Sequence, residues 1–482
     1  MIYSFKTKPY LHQEEVLSAS WDKINWAFFM EMGTGKSKVC IDTATMLYEN
    51  NKIDTFIVVA PKGVYRNWAN LEIPAHMPDR VANNATTLIW RPTPTKALRE
   101  NLFSFMQPAG EGLRILVMNV EALSTKKGQQ YLAAVLKASK ALLAIDESTA
   151  IKSPKASRTK ALIKLSGLAT YRRILTGFPV TQSPMDLWAQ CRFMSPDLLG
   201  DCGEDFYQFQ YRYAIRQRKH LGTHSFDQIV GYRNLEELSV LLKNFSSRVM
   251  KDECLDLPSK IYSQRSVQLS SDQKRIYNDL KEYALAHIND HEFMTATNVM
   301  TQLLRMQQVL SGHTKSDSGE IIEIEDNRIN ELIACLDETD GKAIIWSRFR
   351  YDIKRIASAL TKRYGPQSTV TYFGDTTDEQ RSEAIERFQN GKARFFVGNP
   401  QTGGYGITLT AATTVVYFAN SFDLAVRMQS EDRAHRIGQK EHVTYIDLIA
   451  EDTIDERIVK SLRNKMDIAS VVMGEELKEW LR

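Results

Sequence analysis

Short apolar runs alternate with polar and helical patterns along the first third of the chain. INWAFFM (24–30), TFIVVAP (55–61), RILVMNV (114–120) and ALLAIDE (141–147) read as buried strands, and RRILTG (172–177) as a shorter fifth. Strands that are apolar throughout need cover on both faces, so their alternation with helices predicts a parallel sheet between two helical layers. From about 185 to 325 this rhythm stops. Aromatic-rich and charged helical patterns take over, interrupted by LDLPSK (255–260) and the polar stretch SGHTKSDSGE (311–320). The rhythm returns with KAIIWS (342–347), STVTYF (368–373), ARFFVG (393–398), TTVVYFA (413–419) and VTYIDLI (443–449). The pattern predicts an α/β chain with a first parallel-sheet lobe over 1–185, a helical middle over 186–325 and a second such lobe over 326–482.

Length agrees, because 482 residues exceed one ordinary core. Charge adds little: 62 basic against 58 acidic residues give +4, so any basic surface must be local. The five cysteines are scattered and form no CxxC pair, which suits reduced thiols better than a disulfide framework or a zinc site. The opening MIYSFKTKPYLHQEE lacks the apolar region of a signal peptide, and no apolar run is long enough for a bilayer. An intracellular protein with no membrane partner is the expectation.

INWAFFMEMGTGKSKVC joins an apolar strand, a glycine turn and a helix opened by lysine and serine. Backbone N–H groups of such a turn can wrap a β-phosphate, because glycine permits both the tight turn and the close approach. Gly33, Thr34 and Gly35 are the candidate cradle, Lys36 would reach the β/γ-phosphates and Ser37 would ligand Mg²⁺. The longer Walker pattern asks for glycine where Met30 stands, so the shorter GxGK[ST] form is the fit, and a plain strand-to-helix turn is the alternative. ALLAIDE ends in Asp146 and Glu147, where a parallel sheet binds its ligands. Alone, such a pair is a cap or a solvated turn. Beside GTGKS, Asp146 becomes a candidate to hold Mg²⁺ through water and Glu147 to orient and deprotonate the attacking water.

QSEDRAHRIGQ (429–439) places Gln429, Arg433 and Arg436 on one face if the stretch is helical. Two readings stand. The arginines face a nucleotide across a cleft and stabilise the transferring phosphoryl, or the helix is solvated with Glu431 and Asp432 as salt-bridge partners.

Taken in order, these segments resemble the Swi2/Snf2 family of superfamily 2 helicase-like ATPases over nearly the whole chain. KPYLHQEEVL resembles the family's adenine-reading Q motif, with Gln13 on the base; EMGTGKS resembles motif I, APKGVYRNW motif Ia and VMNVEAL motif Ib. IDESTAIKS stands where the family writes DEAHRIKN, and LTGFPVTQSPMDLW resembles motif III. KAIIWSRF resembles motif IV, FGDTTDEQR the next motif, NPQTGGYGITLTAA motif V, QSEDRAHRIGQ motif VI and VTYIDLIAEDTIDERI the C-terminal brace. The middle, FQYRYA…GYRNLEELSVLL…RVMKDECLDLPSK, resembles a compact branch containing annealing helicases that act on branched DNA.

The resemblance implies two RecA-like lobes, ATP with Mg²⁺, and translocation on double-stranded or branched DNA. It adds Gly406 of motif V to the nucleotide-binding residues. It implies phosphate contacts from Lys62, Arg66, Lys152, Arg348, Thr402 and Thr408, which position a protein without reading sequence. A monomeric motor is expected, targeted by a protein partner or by DNA shape. Ser148 and Thr149 replace the Ala-His of DEAH, Ala150 an arginine and Phe178 the usual threonine, so the hydrogen bonding between motifs II and III stays open. A strand-separating helicase and an ATP-gated recruitment protein with weak hydrolysis are the alternatives. YRYAIRQRKH (211–220) reads either as a basic wedge for a branch point or as a helical face with buried tyrosines. Trp68 and Trp188 are expected in the core.

Overall fold

The computed structural model describes residues 3–108, 110–221, 224–289, 296–316, 318–403 and 407–474. These fall into two compact units, the first made of 3–216, 229–256 and 467–474, the second of 217–228 and 257–466.

In the first unit the apolar runs become β1 (Asn25–Met30), β2 (Thr55–Ala60), β4 (Arg114–Asn119), β5 (Ala141–Asp146) and β6 (Tyr171–Leu175), with β3 (Thr86–Ile89) added. β7 (Ala214–Leu221) and β8 (His224–Tyr232), whose residues 217–228 belong to the second unit, form a separate two-stranded ribbon, and β9 (Ser246–Val249) returns to the first sheet. The order is β3-β4-β2-β5-β6-β1-β9, parallel throughout. Successive side chains point to opposite faces of a strand. Ala27, Phe29, Ile57 and Val59 accordingly enter one core, while Phe28, Met30, Phe56 and Val58 enter the other.

The second unit repeats the principle with β10 (Lys260–Ser266), β13 (Lys342–Trp346), β14 (Thr369–Tyr372), β15 (Phe395–Gly398), β16 (Ala412–Tyr417) and β17 (Val443–Ile449). Their order is β10-β17-β16-β13-β15-β14, again parallel. β11 (His313–Lys315) and β12 (Ile321–Glu323) pair as a small antiparallel hairpin. Ala343 and Ile345 face one core, Ile344 and Trp346 the other.

All ten apolar runs are strands. The middle differs from the helical insertion expected over 186–325: β9 extends the first sheet beside β1, and β10 extends the second beside β17. Neither strand is apolar throughout, because each lies at an edge and is held by backbone pairing more than by burial. The stretch 211–220 also departs from a helical face. Its helix stops at Tyr213, which is buried; Tyr211 is exposed, and the basic residues run on into β7.

Arg173 fixes the entry to the first sheet. Fully buried, it donates to the carbonyls of Ser20 (2.8 Å), Lys23 (2.7 Å) and Ile24 (3.2 Å). These bonds tie the end of helix Leu11–Ser20 to the start of β1 and so set Gln13 against the turn that follows β1. All five cysteines are free thiols. Among the described residues no helix is long and apolar enough to cross a membrane.

Candidate functional site

β1 ends at Met30, and the chain turns through Gly33 (φ 86°) and Gly35 (φ 92°) into helix Lys36–Glu49. L side chains are disfavoured at such φ values, so both turns need glycine. Space is short as well: a Cβ on Gly35 would lie 2.1 Å from Gln13 Nε2, so that amide would have to move. No side chain caps the helix, and no acidic residue lies in its first turn. Its leading N–H groups and the positive end of its dipole therefore make a ready seat for an anion.

Gln13 is buried, and its amide is turned to the protein. Oε1 accepts from Tyr10 N at 3.2 Å and Nε2 donates to Thr34 O at 3.0 Å. The Thr34 carbonyl also lies 2.8 Å from His12 Nε2. The residue expected on the base is thus a brace for the glycine turn in this structure.

Across the sheet edge from that turn, β5 delivers Asp146 and Glu147, each 8% exposed. Lys36 Nζ stands 3.9 Å from Glu147 Oε1. Glu147 adopts the left-handed backbone conformation with φ 48°. A non-glycine residue pays about 1–3 kcal/mol for that geometry, and such residues cluster at active sites. Asp146 is held on both oxygens: Oδ1 accepts from Glu147 N (3.0 Å) and Oδ2 from the indole N–H of Trp68 (2.8 Å). Trp68 is buried as expected, but its hydrogen bond to the acidic strand end was not legible in an apolar pattern.

The turn after Glu147 is linked to the 176–190 segment despite the missing histidine. Ser148 Oγ donates to Gln190 Oε1 (2.6 Å), and Gln190 Nε2 donates to the carbonyls of Pro179 and Asp186, both at 2.8 Å. Lys152 Nζ donates to Thr181 Oγ1 (2.6 Å) and lies 3.8 Å from Asp186 Oδ2. Lys152, expected on a DNA phosphate, is an internal tie here. Lys62 and Arg66 are exposed.

In the second unit the QSEDRAHRIGQ stretch is neither the continuous helix nor the solvated surface that the sequence suggested. Helix Leu424–Glu431 stops before the arginines, and turns follow up to Gly438 (φ 101°). Gln429 and Arg433 are buried and Arg436 is half-buried, so this is no solvated helix. Arg433 Nε donates to Gln429 O (2.9 Å), and Nη1 of Arg433 and of Arg436 both reach Ile407 O, at 3.1 and 3.4 Å. The two guanidinium groups thus converge without a shared helical face. Glu431 pairs elsewhere, with Arg427 (2.8 Å), Lys260 (3.0 Å) and the hydroxyl of Tyr262 (2.7 Å). Burial pushes its carboxyl up, but Lys260 and Arg427 outweigh that and hold it at about 2.

Arg348 is half-buried, and burial lowers its pKa. Its guanidinium donates to Gln307, whose Nε2 donates on to Asn420 O at 3.0 Å. Thr402 and Thr408 are half-buried; Gly406 lies outside the described residues.

Residues 12–315 match the SNF2-related domain, and residues 326–438 match the helicase conserved C-terminal domain. An uncharacterized ATP-dependent helicase of Mycoplasma genitalium is 27% identical over 339 residues, covering 69% of this chain and 31% of that protein. An ISWI chromatin-remodeling complex ATPase of Arabidopsis thaliana is 25% identical over 469 residues (93% and 41%). A putative ATP-dependent helicase/translocase of Bacillus subtilis is 23% identical over 477 residues (94% and 48%). The chain therefore spans less than half the length of each of these relatives. Among solved structures, the Sulfolobus solfataricus SWI2/SNF2 ATPase core in complex with dsDNA is similar at 21% identity and a TM-score of 0.43, over 98% of this chain and 95% of that one.

Proposed function

The chain belongs to the SNF2-related domain family, and from that premise we propose that it is a DNA-dependent ATPase that translocates on double-stranded or branched DNA. The observation that carries this reading is the convergence of Lys36 and Glu147, 3.9 Å apart, beside an uncapped helix N-terminus and a doubly held Asp146. The helix end, Gly33, Thr34 and Gly35 would seat the β-phosphate. Lys36 would offset the charge of the β/γ-phosphates, and Glu147 would orient the attacking water and take its proton.

Mg²⁺ fits the oxygen donors present, since this ion is commonly bound through one or two carboxylates together with substrate phosphates. Asp146 and Ser37 would hold it, and among the described residues no cluster of three or more His, Cys, Asp or Glu offers a rival site. When bound, it would neutralise charge on the phosphate oxygens. Gln13 reads as the support that fixes the cradle and, with the residues around it, borders the base. Gln429, Arg433 and Arg436 are the second unit's candidates for nucleotide contact. To meet a phosphoryl oxygen through Nη1, both arginines would exchange their shared acceptor, Ile407 O, for it.

For DNA, Lys62 and Arg66 are the exposed candidates of the first unit. Thr402, Thr408 and Arg348, all half-buried, are the second unit's candidates, with Gly406 retained for nucleotide on resemblance alone. Lys152 would act on DNA only by leaving Thr181. The exposed basic strand β7, carrying Arg218 and Lys219, is the candidate for contact at a branch point. A protein partner for targeting is compatible with this reading.

The Ser148–Gln190 bond argues against weak hydrolysis, because the linkage that a DEAH histidine would supply has a replacement. The test is hydrolysis with duplex, forked and single-stranded DNA, with Lys36→Ala, Glu147→Gln and Arg436→Ala alongside. Stimulation by duplex or fork that each variant abolishes is the expected result. A rate indifferent to all three DNAs would overturn the proposal.

A further inference from the structure

The indole of Trp68 makes its 2.8 Å hydrogen bond to a carboxylate at the strand end when any buried carbonyl would have satisfied it. We infer that Trp68 is a positioning residue: it fixes the Asp146 carboxylate for the Mg²⁺–nucleotide complex and transmits to it the state of the DNA-facing segment 61–68. The inference rests on the proposed function, in which Asp146 holds the ion and Lys62 and Arg66 meet DNA.

Three observations carry it. With Oδ2 on Trp68 and Oδ1 on Glu147 N, the rotation of the Asp146 carboxylate is set by two donors from different elements. Partners of this kind orient metal-binding carboxylates, and their loss typically costs 10–100-fold in metal affinity or activity. Second, Trp68 opens a five-residue π-helix, Trp68–Glu72. That wider turn is a rare conformation found mostly at functional sites. Third, the exposed Lys62 and Arg66 share a short, internally bonded segment with Trp68. Val64 N and Tyr65 N donate to Pro61 O at 2.9 and 3.0 Å, and Asn67 N donates to Val64 O at 2.9 Å. A phosphate that pulls on Lys62 or Arg66 moves a unit whose next residue holds Asp146. The ring itself is lodged edge-on against Phe56, with centroids 6.4 Å apart, so a shift of the segment reaches the N–H as reorientation rather than escape.

The experiment uses the full chain carrying Trp68→Phe, which keeps a buried aromatic ring and removes the N–H. Calorimetric ADP binding is measured with and without Mg²⁺, and hydrolysis with and without duplex DNA. The expected result is roughly ten-fold weaker binding of ADP with Mg²⁺, unchanged binding of ADP alone, unchanged duplex affinity and a reduced fold-stimulation by DNA. Wild-type Mg²⁺ dependence together with wild-type stimulation would overturn the inference. In the unmodified chain, amide hydrogen exchange over 61–72 should slow when ADP and Mg²⁺ bind; no change there also overturns it, whatever the fate of the variant. If the unmodified chain shows no DNA stimulation, the proposed function fails, while the calorimetric arm still decides the role of Trp68.

Discussion

The hydroxyl of Ser148 donates to the side-chain carbonyl of Gln190 at 2.6 Å, and both residues are fully buried. Gln190 in turn donates to Pro179 O and Asp186 O, so a single amide joins the acidic strand end to the two ends of the following segment. A buried acceptor left without its donor costs about 1–3 kcal/mol. Ser148→Ala is therefore expected to lower the unfolding free energy by that order and to reduce DNA stimulation of hydrolysis more than the basal rate. Urea denaturation and steady-state rates with and without duplex check this. Equal loss of both rates would make the bond a purely structural one.

Gly35 meets two separate obstacles to a side chain, and a pair of variants resolves them. Gly35→Ala places a Cβ 2.1 Å from Gln13 Nε2 at φ 92°. Gln13→Ala removes the steric conflict but leaves the backbone strain, worth about 1–2 kcal/mol for an L residue. The double variant should regain stability relative to Gly35→Ala without reaching Gln13→Ala. Thermal melting of the three proteins measures it, and full recovery in the double variant would show that strain is not the obstacle.

The buried ion cluster at Glu431 gives a signed pH dependence. Its carboxyl falls from an ordinary 4.5 to about 2 in the folded chain, because Lys260 and Arg427 overcome the opposing effect of burial. A depressed acid contributes stability above its unfolded pKa and loses it as pH falls through the folded one. Glu431→Gln leaves the buried Arg427 and the half-buried Lys260 short of a partner and should cost about 3 kcal/mol near neutrality. The difference from the parent chain should hold down to about pH 4.5 and narrow from there toward 2. Urea midpoints for both proteins at pH 7, 5, 4 and 3 read this directly. A gap that widens in acid would contradict it.

Strand β7 carries Arg218 and Lys219 on its exposed course, with Arg218 Nη2 2.9 Å from Ser225 Oγ across the ribbon. If these cations meet phosphates, replacing both by alanine should lower the slope of log affinity against log salt by up to about two on forked DNA. Fluorescence anisotropy over a salt series measures the slope. Identical slopes for parent and variant would remove β7 from the DNA-binding surface.

The sequence pattern told most about strands covered on both faces and least about edges. Runs such as TFIVVAP are apolar because both sides of β2 are buried, which leaves an unmistakable trace. β9 (SSRV) and β10 (KIYSQRS) are held by backbone pairing to β1 and β17, and pairing leaves no residue-type signature. In the candidate site, Lys36 and Glu147 were placed by motif, and their proximity is what the structure adds. The arginines of QSEDRAHRIGQ were expected on one helical face, whereas their burial and their common acceptor, Ile407 O, depend on how residues 407–412 pass beneath them. Gln13 was expected from the family resemblance and Trp68 from its apolar pattern. What their polar atoms hold is a matter of contacts between segments far apart in the chain.

The first core takes in residues from late in the chain: Val472 and Met473 belong to the same buried cluster as Ala27, Ile57 and Leu116, more than two hundred positions after the first unit's preceding stretch ends. In the order of synthesis, the second unit is an insertion within the first. A ribosome releases the whole first sheet, including β9, before the helix Ile454–Met473, whose last residues join that core, has been made. The nascent first unit must therefore wait with an open apolar seam while some two hundred residues emerge, and a proteolytic cut within the second unit would sever the only covalent route by which that seam is sealed.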